Sequence, residues 1–228
     1  MIIVSGDFHG EFNKVNEFLS SHPKVSTILQ CGDFGFWPRL HNTTYINTRG
    51  KIQRYDQYNL KNKDTKIFWC DGNHEDFESL KNLKNNEIMR NVFYMKRGSI
   101  LTLEDERKVL FIGGAASNDK KLRIPGYSWF PEELISQEDI YNLPEEKINI
   151  VISHTSPKEF NNVIKESLKY YDPSREALSY VLKKYKPELW YFGHMHLFKQ
   201  GYDFDCKWTC LSAIGFDQRW WIPIEEKK

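Results

Sequence analysis

Short apolar runs set the strongest constraint on how this chain can fold. Each is bounded by polar residues or glycine, and six of them occur, at residues 1–4, 27–31, 66–70, 108–114, 148–153 and 189–192. Runs of this length are typical of strands that are buried on both faces. Because helix-like segments separate several of them, the sequence predicts an α/β core with a largely parallel sheet.

Helix boundaries and a change of pattern refine this prediction. Asp172 is a candidate N-cap before Pro173, the apolar residues that follow share one helical face, and Pro187 ends the segment. Pro131, followed by two glutamates, marks a second helix start. From Phe198 onward polar and apolar residues alternate, which predicts antiparallel strands at the end of the chain.

Composition excludes several classes of protein. The chain has 228 residues, 28% of them charged, and a formal net charge of +1, which argues against a protein that binds DNA mainly by bulk charge. No apolar run approaches the ~20 residues of a membrane helix, and the first apolar segment is too short for a secretory signal. We therefore expect a single domain over residues 1–228, cytoplasmic, with no membrane partner.

The four cysteines are expected to be buried free thiols. Two lie in strand-like runs, no CxxC pair occurs, and the set is Cys31, Cys70, Cys206 and Cys210. Disulfides are the less favoured interpretation, and a zinc site at the last two lacks further ligands.

Five of the seven histidines lie just past the ends of apolar runs. They are accompanied there by acids and an amide, and the whole set is Asp7, His9, Asp33, Asn73, His74, His154, His194 and His196. The carboxyl ends of parallel strands meet at one rim of a sheet, where ligands bind. One such motif alone is more often a turn or a structural histidine. Turn chemistry does not predict histidine at five such positions, so we interpret them as one site.

The side chains of this set suit a metal site. Asp7 and His9 are two residues apart, as are His194 and His196, and an extended chain projects such pairs to the same side. Imidazole nitrogens with carboxylate and amide oxygens suit Mn²⁺, Fe, Zn²⁺, Co²⁺ or Ni²⁺, and the absence of thiolates argues against a closed structural zinc site. Seven candidate ligands are too many for one ion and suit two ions that share a carboxylate, an arrangement that promotes phosphoryl displacement.

The ordered blocks resemble the calcineurin-like metallophosphoesterases. The family pattern is Asp-x-His, Gly-Asp-x-x-Asp, Gly-Asn-His-Glu/Asp, a later His and Gly-His-x-His, and the chain has GDFHG, CGDFGFW, DGNHED, SHTSP and FGHMH in that order. Two segments also resemble small bacterial and phage-encoded members. The resemblance implies a four-layer sandwich, with two mixed β-sheets face to face flanked by helices. It also implies two divalent ions, with Mn²⁺ favoured and Fe, Zn, Co, Ni or Mg as alternatives.

The resemblance further implies a role for each residue. One metal would be held by Asp7, His9 and His196, and the other by Asn73, His154 and His194. Asp33 would bridge the two metals. A hydroxide between them would attack phosphorus, while His74, which is not a metal ligand, would protonate the leaving oxygen or contact the phosphoryl group. His74 and Asp33 are thus the catalytic candidates.

The chain departs from the family pattern at Phe36 and Trp37. Relatives often have an Asp there that orients the histidine matching His74, and an Arg that contacts phosphate. We consider Glu75 or Asp76 as the orienting acid.

Three residues are candidate substrate contacts: Asn73, Arg39 and Arg123. Arg39 is considered in place of the family Arg. Arg123 belongs to the segment 113–133 with Tyr127 and Trp129, and these side chains either line the substrate cleft or pack the loop under an aromatic lid.

The predicted function is a binuclear metal-dependent phosphoesterase. A phosphodiester of a nucleotide or nucleic acid is the favoured substrate because Trp37 and Trp129 can stack bases, although the near-neutral charge argues against long DNA. A phosphomonoesterase acting on a phosphoprotein or a small phosphomonoester is the alternative. A non-catalytic metal-binding interaction module on the same fold is the third interpretation.

Overall fold

The computed structural model describes residues 1–46, 52–54, 56, 59–61, 64–160, 171–216, 219–225 and 227. The strands of this part are β1 Ile2–Ser5, β2 Thr27–Gln30, β3 Thr44–Ile46, β4 Ile52–Arg54, β5 Lys66–Trp69, β6 Glu87–Met89, β7 Val92–Tyr94, β8 Ser99–Thr102, β9 Lys108–Ile112, β10 Ile150–Ser153, β11 Leu189–Phe192, β12 Lys199–Asp203, β13 Cys206–Cys210 and β14 Trp221–Pro223. The α-helices are α1 Phe12–Ser21, α2 Phe77–Lys81, α3 Gln137–Tyr141 and α4 Pro173–Tyr185. All six predicted apolar runs form strands.

The described strands form two six-stranded mixed sheets and one small hairpin. The first sheet has the order β14-β1-β2-β5-β7-β6 and the second the order β12-β13-β11-β10-β9-β8, while β3 pairs with β4. In each large sheet the four central strands are parallel and both outer strands are antiparallel to their neighbours. The parallel core was predicted, and the two-sheet division was implied by the family resemblance.

Buried side chains fill three spaces between layers. The middle space joins the two sheets, where Val4 and Leu29 of the first pack with Phe111, Ile152 and Tyr191 of the second. Such face-to-face packing explains why the central strands are apolar on both faces.

Helices cover the outer faces of both sheets. Helix α1 buries Phe12, Val15 and Phe18, which recur every third residue, against the first sheet. Helix α4 packs its apolar face on Trp190 and Trp208 of the second sheet. The predicted four-layer sandwich is therefore confirmed.

The two helix-start predictions had different outcomes. The Asp172 side chain accepts a hydrogen bond from the Ser174 backbone and Pro173 opens α4, as predicted. The second prediction was wrong in extent, because Pro131 opens only a three-residue 3₁₀ turn that ends at Glu133. The α-helix that follows, α3, begins after Ser136, whose side chain forms a capping box with Asp139.

The end of the chain is antiparallel, with one addition. Strands β12 and β13 form an antiparallel hairpin, and β14 lies antiparallel to β1. Strand β13 also runs parallel to β11, so it extends the parallel core as well.

Two further expectations are answered by the described residues. All four cysteines lie in the described part, and each is a buried free thiol, as predicted. No described helix combines the length and the apolar character that crossing a bilayer requires.

Candidate metal centre

The predicted ligands lie in loops that follow five parallel strands, β1, β2, β5, β10 and β11. Hydrogen bonds from backbone amides to buried carboxylates join these loops, one between the two sheets and one within the first sheet. The His194 amide donates to Asp7 Oδ1 over 3.1 Å, and the His74 amide donates to Asp33 Oδ1 over 2.8 Å. The carboxyl ends of the strands therefore meet at one rim, as the sequence predicted.

The local geometry differs from the extended chain that we expected. His9, His194 and His196 have φ values of 47°, 65° and 51°, in the left-handed region. Both Asp-x-His and His-x-His therefore lie in turns, and their side chains meet because the backbone reverses. The prediction that these pairs converge by strand alternation was wrong.

Two glycines allow the loops to approach the carboxylates. A Cβ on Gly193 would overlap Asp7 Oδ1, and a Cβ on Gly72 would overlap the carboxylate of Asp33. The glycines that precede His194 and Asn73 are thus required by close backbone approach.

The first ligand group surrounds Asp7. The ligand atoms of Asp7, His9, Asp33 and His196 all lie within 4.8 Å of one another. Asp7 Oδ2 is 3.1 Å from His196 Nε2 and 3.7 Å from His9 Nε2, and the two imidazole nitrogens are 2.9 Å apart. These donors fit a divalent cation that accepts mixed nitrogen and oxygen ligands.

The second ligand group surrounds His154. Its Nε2 lies 3.4 Å from Asp33 Oδ1 and 3.1 Å from Asn73 Oδ1. The ring of His194 lies 4.9 Å from the ring of His154. The two oxygens of Asp33 face different groups, because Oδ2 lies 3.7 Å from His9 Nε2.

The hydrogen bonds of the second group leave its lone pairs without a donor. His154 Nδ1 faces the carbonyl oxygen of Cys31 at 2.8 Å, so it carries the proton and Nε2 presents a lone pair in the neutral ring. Asn73 donates through Nδ2 to Ser117 Oγ over 3.1 Å, which turns Oδ1 towards that lone pair. With His154 neutral these two acceptors repel each other, so the pair requires a positive charge between them, which is either a proton on Nε2 or a metal cation. The residues present therefore fit a metal cation.

The pKa of His154 reflects the negative charge of the nearby carboxylates. Burial lowers this pKa, but the Asp33 carboxylate outweighs burial and raises it to about 10. His194 is different, because burial and the neighbouring His154 lower its pKa to about 3 despite the two carboxylates. The site therefore holds a net negative field together with an imidazole that stays neutral, which favours a cation as ligand.

His74 lies beside the ligand groups and contacts an arginine. Arg123 Nη2 is 2.6 Å from His74 Nε2 and 2.9 Å from Nδ1, and Arg123 Nη1 donates to the Asn73 carbonyl. Burial lowers the pKa of His74 to about 4 against the attraction of Asp33, and the charge of Arg123 adds to this effect. His74 is therefore a neutral imidazole at pH 7.

Glu75 and Asp76, the two acids considered for orienting His74, contact other groups. Glu75 accepts hydrogen bonds from the Phe34 and Phe36 amides, and Asp76 caps α2. Both carboxylates thus hold backbone in place, and neither has a hydrogen bond to the His74 ring among the described contacts.

Arg39 lies outside the ligand groups. Its Nε donates to Asp76 Oδ2 over 2.6 Å, and its guanidinium lies over the ring of Phe130. Of the two candidate arginines, the structure brings Arg123 to the site and directs Arg39 to Asp76.

The aromatic residues expected to stack bases are engaged in packing. Trp37 packs on the first-sheet core and donates to the His74 carbonyl over 2.8 Å. The ring face of Trp129 is covered by Lys120, whose Nζ lies 3.9 Å from the ring centroid. These contacts favour the loop-packing interpretation for Trp129, and they show that Trp37 also serves in packing.

Sequence reasoning missed the residues that orient Asn73. Ser117 accepts from the Asn73 amide and donates to Glu133 Oε2 over 2.6 Å, and its own backbone amide donates to Glu133 Oε1. Ser117 lies in the GGAASND stretch, where no pattern marks it, and Glu133 was considered only as part of a helix start.

Comparison with known proteins identifies the family of this chain. No curated protein matches the sequence. The family model described as calcineurin-like phosphoesterase matches residues 1–198, a span that includes every predicted metal ligand. The match, the two-sheet sandwich and the converging ligand groups agree, and the chain belongs to the calcineurin-like phosphoesterase family.

Proposed function

We propose that this protein is a binuclear metal-dependent phosphoesterase that hydrolyses a phosphodiester of a nucleotide or nucleic acid. Membership of the family and the ligand cluster support metal-dependent phosphoester hydrolysis. The observation that carries the binuclear proposal is the position of Asp33, whose two oxygens face His9 in one group and His154 in the other. A carboxylate in this position is suited to two ions.

Two divalent ions at such a site, when bound, activate water and stabilise the charge of an in-line phosphoryl displacement. Asp7, His9 and His196 would hold one of them, Asn73, His154 and His194 the other, and Asp33 both. The chain supplies the negative charge through two buried carboxylates, and imidazole nitrogens complete the donor set. Mn²⁺ is the ion that the family resemblance favours, and nitrogen and oxygen donors without thiolate are compatible with it.

His74 and Arg123 provide the contact to the phosphoryl group. A neutral His74 does not carry the second proton that an acid catalyst would donate, so we favour its role as a hydrogen-bond partner of a phosphoryl oxygen. Arg123 brings a permanent positive charge to the same place, held by Asp119 at 2.8 Å. Together they stabilise the charge of the phosphoryl group as it is transferred.

The test is hydrolysis by the purified protein with Mn²⁺. Bis(4-nitrophenyl) phosphate and 4-nitrophenyl phosphate distinguish diester from monoester cleavage, and we expect the diester to react faster. Asn73→Ala and His154→Ala should abolish activity with an unchanged circular dichroism spectrum, because each removes a ligand.

His22→Ala is the matched control, since His22 stacks on Phe18 at 4.3 Å and has no part in the ligand groups. Full activity in His154→Ala would refute the assignment. Absence of activity across several divalent ions, in a protein that is folded, would favour the non-catalytic interaction module instead.

A further inference from the structure

A row of aromatic rings crosses the mouth of the metal centre. The His74 ring lies 5.3 Å from His9, His9 lies 4.9 Å from His196, and His196 lies 4.8 Å from Phe216. Arg123 contacts His74 at one end of the row. The other end is Phe216, a residue that neither the sequence motifs nor the phosphoryl contacts use.

Phe216 is an exposed aromatic residue beside the half-buried His196. Its exposed fraction is 71%, although a phenylalanine is normally covered. The turn that carries it is fixed to the site, since the Ile214 amide donates to the Asp7 carbonyl over 2.9 Å and Gly215 adopts a φ of 86°. The ring is therefore held next to a predicted metal ligand while it remains open to solvent.

A groove opens on the same side of the molecule. It has a volume of about 440 Å³, and Phe216 forms part of its lining together with Phe18, Trp220 and Lys14. This size is in the range of small-ligand sites. The groove thus combines an apolar floor and an exposed ring with two charged groups, the Glu17 carboxylate and the Lys14 ammonium, which pairs with Glu11 at 3.3 Å. Phe216 connects the groove to the metal centre.

We propose that Phe216 and this groove form a subsite for the nucleoside of a phosphodiester substrate. A nucleobase has a flat π-face that stacks on aromatic side chains, and Lys14 suits a neighbouring phosphate. A phosphoryl group at Arg123 and His74 would then have its nucleoside on the His196 side. This inference rests on the proposed function and names the substrate class within it.

The experiment compares two diesters that share a leaving group. Thymidine 5′-(4-nitrophenyl) phosphate carries the nucleoside, and methyl 4-nitrophenyl phosphate lacks it. Because a stacked base contributes roughly tenfold or more to binding, Phe216→Ala should lower kcat/KM for the thymidine ester about tenfold, mainly through KM. The kcat/KM for the methyl ester should change by less than about twofold, and Phe216→Trp should retain the preference for the thymidine ester.

Phe204→Ala is the matched control. Phe204 is 61% exposed, and it lies in the turn between β12 and β13, at the end of β13 opposite the metal rim. Equal losses on both esters, or no loss in Phe216→Ala, would overturn the subsite while the phosphoesterase assignment stands. If the wild-type protein hydrolyses neither ester with any divalent metal, the proposed function fails and the subsite fails with it.

Discussion

At the scale of single residues, the ligand cluster depends on backbone conformations that most side chains avoid. His9, Asp33, His194 and His196 all have φ between 47° and 65°. A non-glycine residue in this region costs on the order of 1–3 kcal/mol, and such residues cluster at functional sites. The surrounding hydrogen bonds, such as His194 to Asp7, hold these turns in place. The packing of the two sheets thus offsets the strain of the turns that bring the candidate ligands together.

We predict that Arg123 and Arg39 differ in function. Arg123→Lys should lower kcat/KM for a diester by about tenfold or more, because a lysine cannot reproduce the planar guanidinium contact with His74. Arg39→Lys should leave kcat/KM within about twofold, because Arg39 pairs with Asp76 instead. Steady-state kinetics of the two variants check the prediction, and a larger loss in Arg39→Lys would contradict it.

The pair of Ser117 and Glu133 should control metal affinity. Ser117→Ala leaves the Asn73 amide without its acceptor, so Asn73 Oδ1 is no longer fixed towards the second ligand group. Groups that orient metal ligands typically account for 10–100-fold in affinity, and we expect a loss of about tenfold in Mn²⁺ affinity by calorimetry. Ser20→Ala, which changes a serine on the exposed side of α1, is the control. Equal Mn²⁺ affinities in the two variants would contradict this role.

The sequence predicts which candidate ligands lie close together in the structure, but it does not predict several of their partners. The ligands stand in short ordered blocks, and each block follows an apolar run. Arg123 contacts His74 from 49 residues away along the chain, and Ser117 contacts Asn73 from 44. Such contacts depend on the path of the loop between β9 and β10, which carries no periodic pattern.

At the scale of elements, one buried network anchors that loop to the first sheet. Arg97 donates to Asp71 Oδ2 over 2.6 Å, to Asp139 over 3.0 Å and to the Leu134 carbonyl. Tyr94 donates to the other oxygen of Asp71. The network therefore joins β7, the loop that follows β5, the backbone at Leu134 and the first turn of α3.

The network predicts a pH-dependent stability. Burial raises the pKa of Asp139, but Arg97 and the Ser136 hydrogen bonds outweigh it and lower that pKa below its usual value. The ionised form therefore stabilises the fold above the unfolded pKa of about 3.9, and this contribution is lost as the pH falls through the folded value. Asp139→Asn should lower the free energy of unfolding by about 1 kcal/mol at pH 7, and the difference should shrink below pH 4.

Urea unfolding of Asp139→Asn across this pH range provides the measurement. Glu138→Gln, which changes the exposed neighbouring acid, is the control and should match the wild type. A difference for Asp139→Asn that stays constant down to pH 3 would show that ionisation is not the cause.

Elements with local signals were predicted and those with tertiary causes were not. Helix α4 has its own cap and apolar face, so its bounds follow from the sequence. The segment after Phe130 has the sequence of a helix start but forms only a 3₁₀ turn. The Ala115 amide donates to the Glu133 carbonyl, and this hydrogen bond holds the chain near β9. A hydrogen bond between residues this far apart in the sequence leaves no signal in the local pattern.

At the scale of the whole molecule, the two sheets place the carboxyl ends of their parallel strands side by side. Strands β1, β2 and β5 supply Asp7, Asp33 and Asn73 from the first sheet, while β10 and β11 supply the late histidines from the second. Asp33 belongs to the first sheet and faces His154 of the second. We therefore infer that the protein binds two metal ions at the junction of the two sheets.

Counting the ions bound by the folded protein shows whether the centre is binuclear. Equilibrium dialysis against Mn²⁺, followed by metal analysis, should give two ions per chain for the wild type. His154→Ala should retain one, because the ligand group around Asp7 is intact in that variant. A wild-type protein that binds one ion or none at saturating Mn²⁺, with its fold verified by circular dichroism, would contradict the binuclear account.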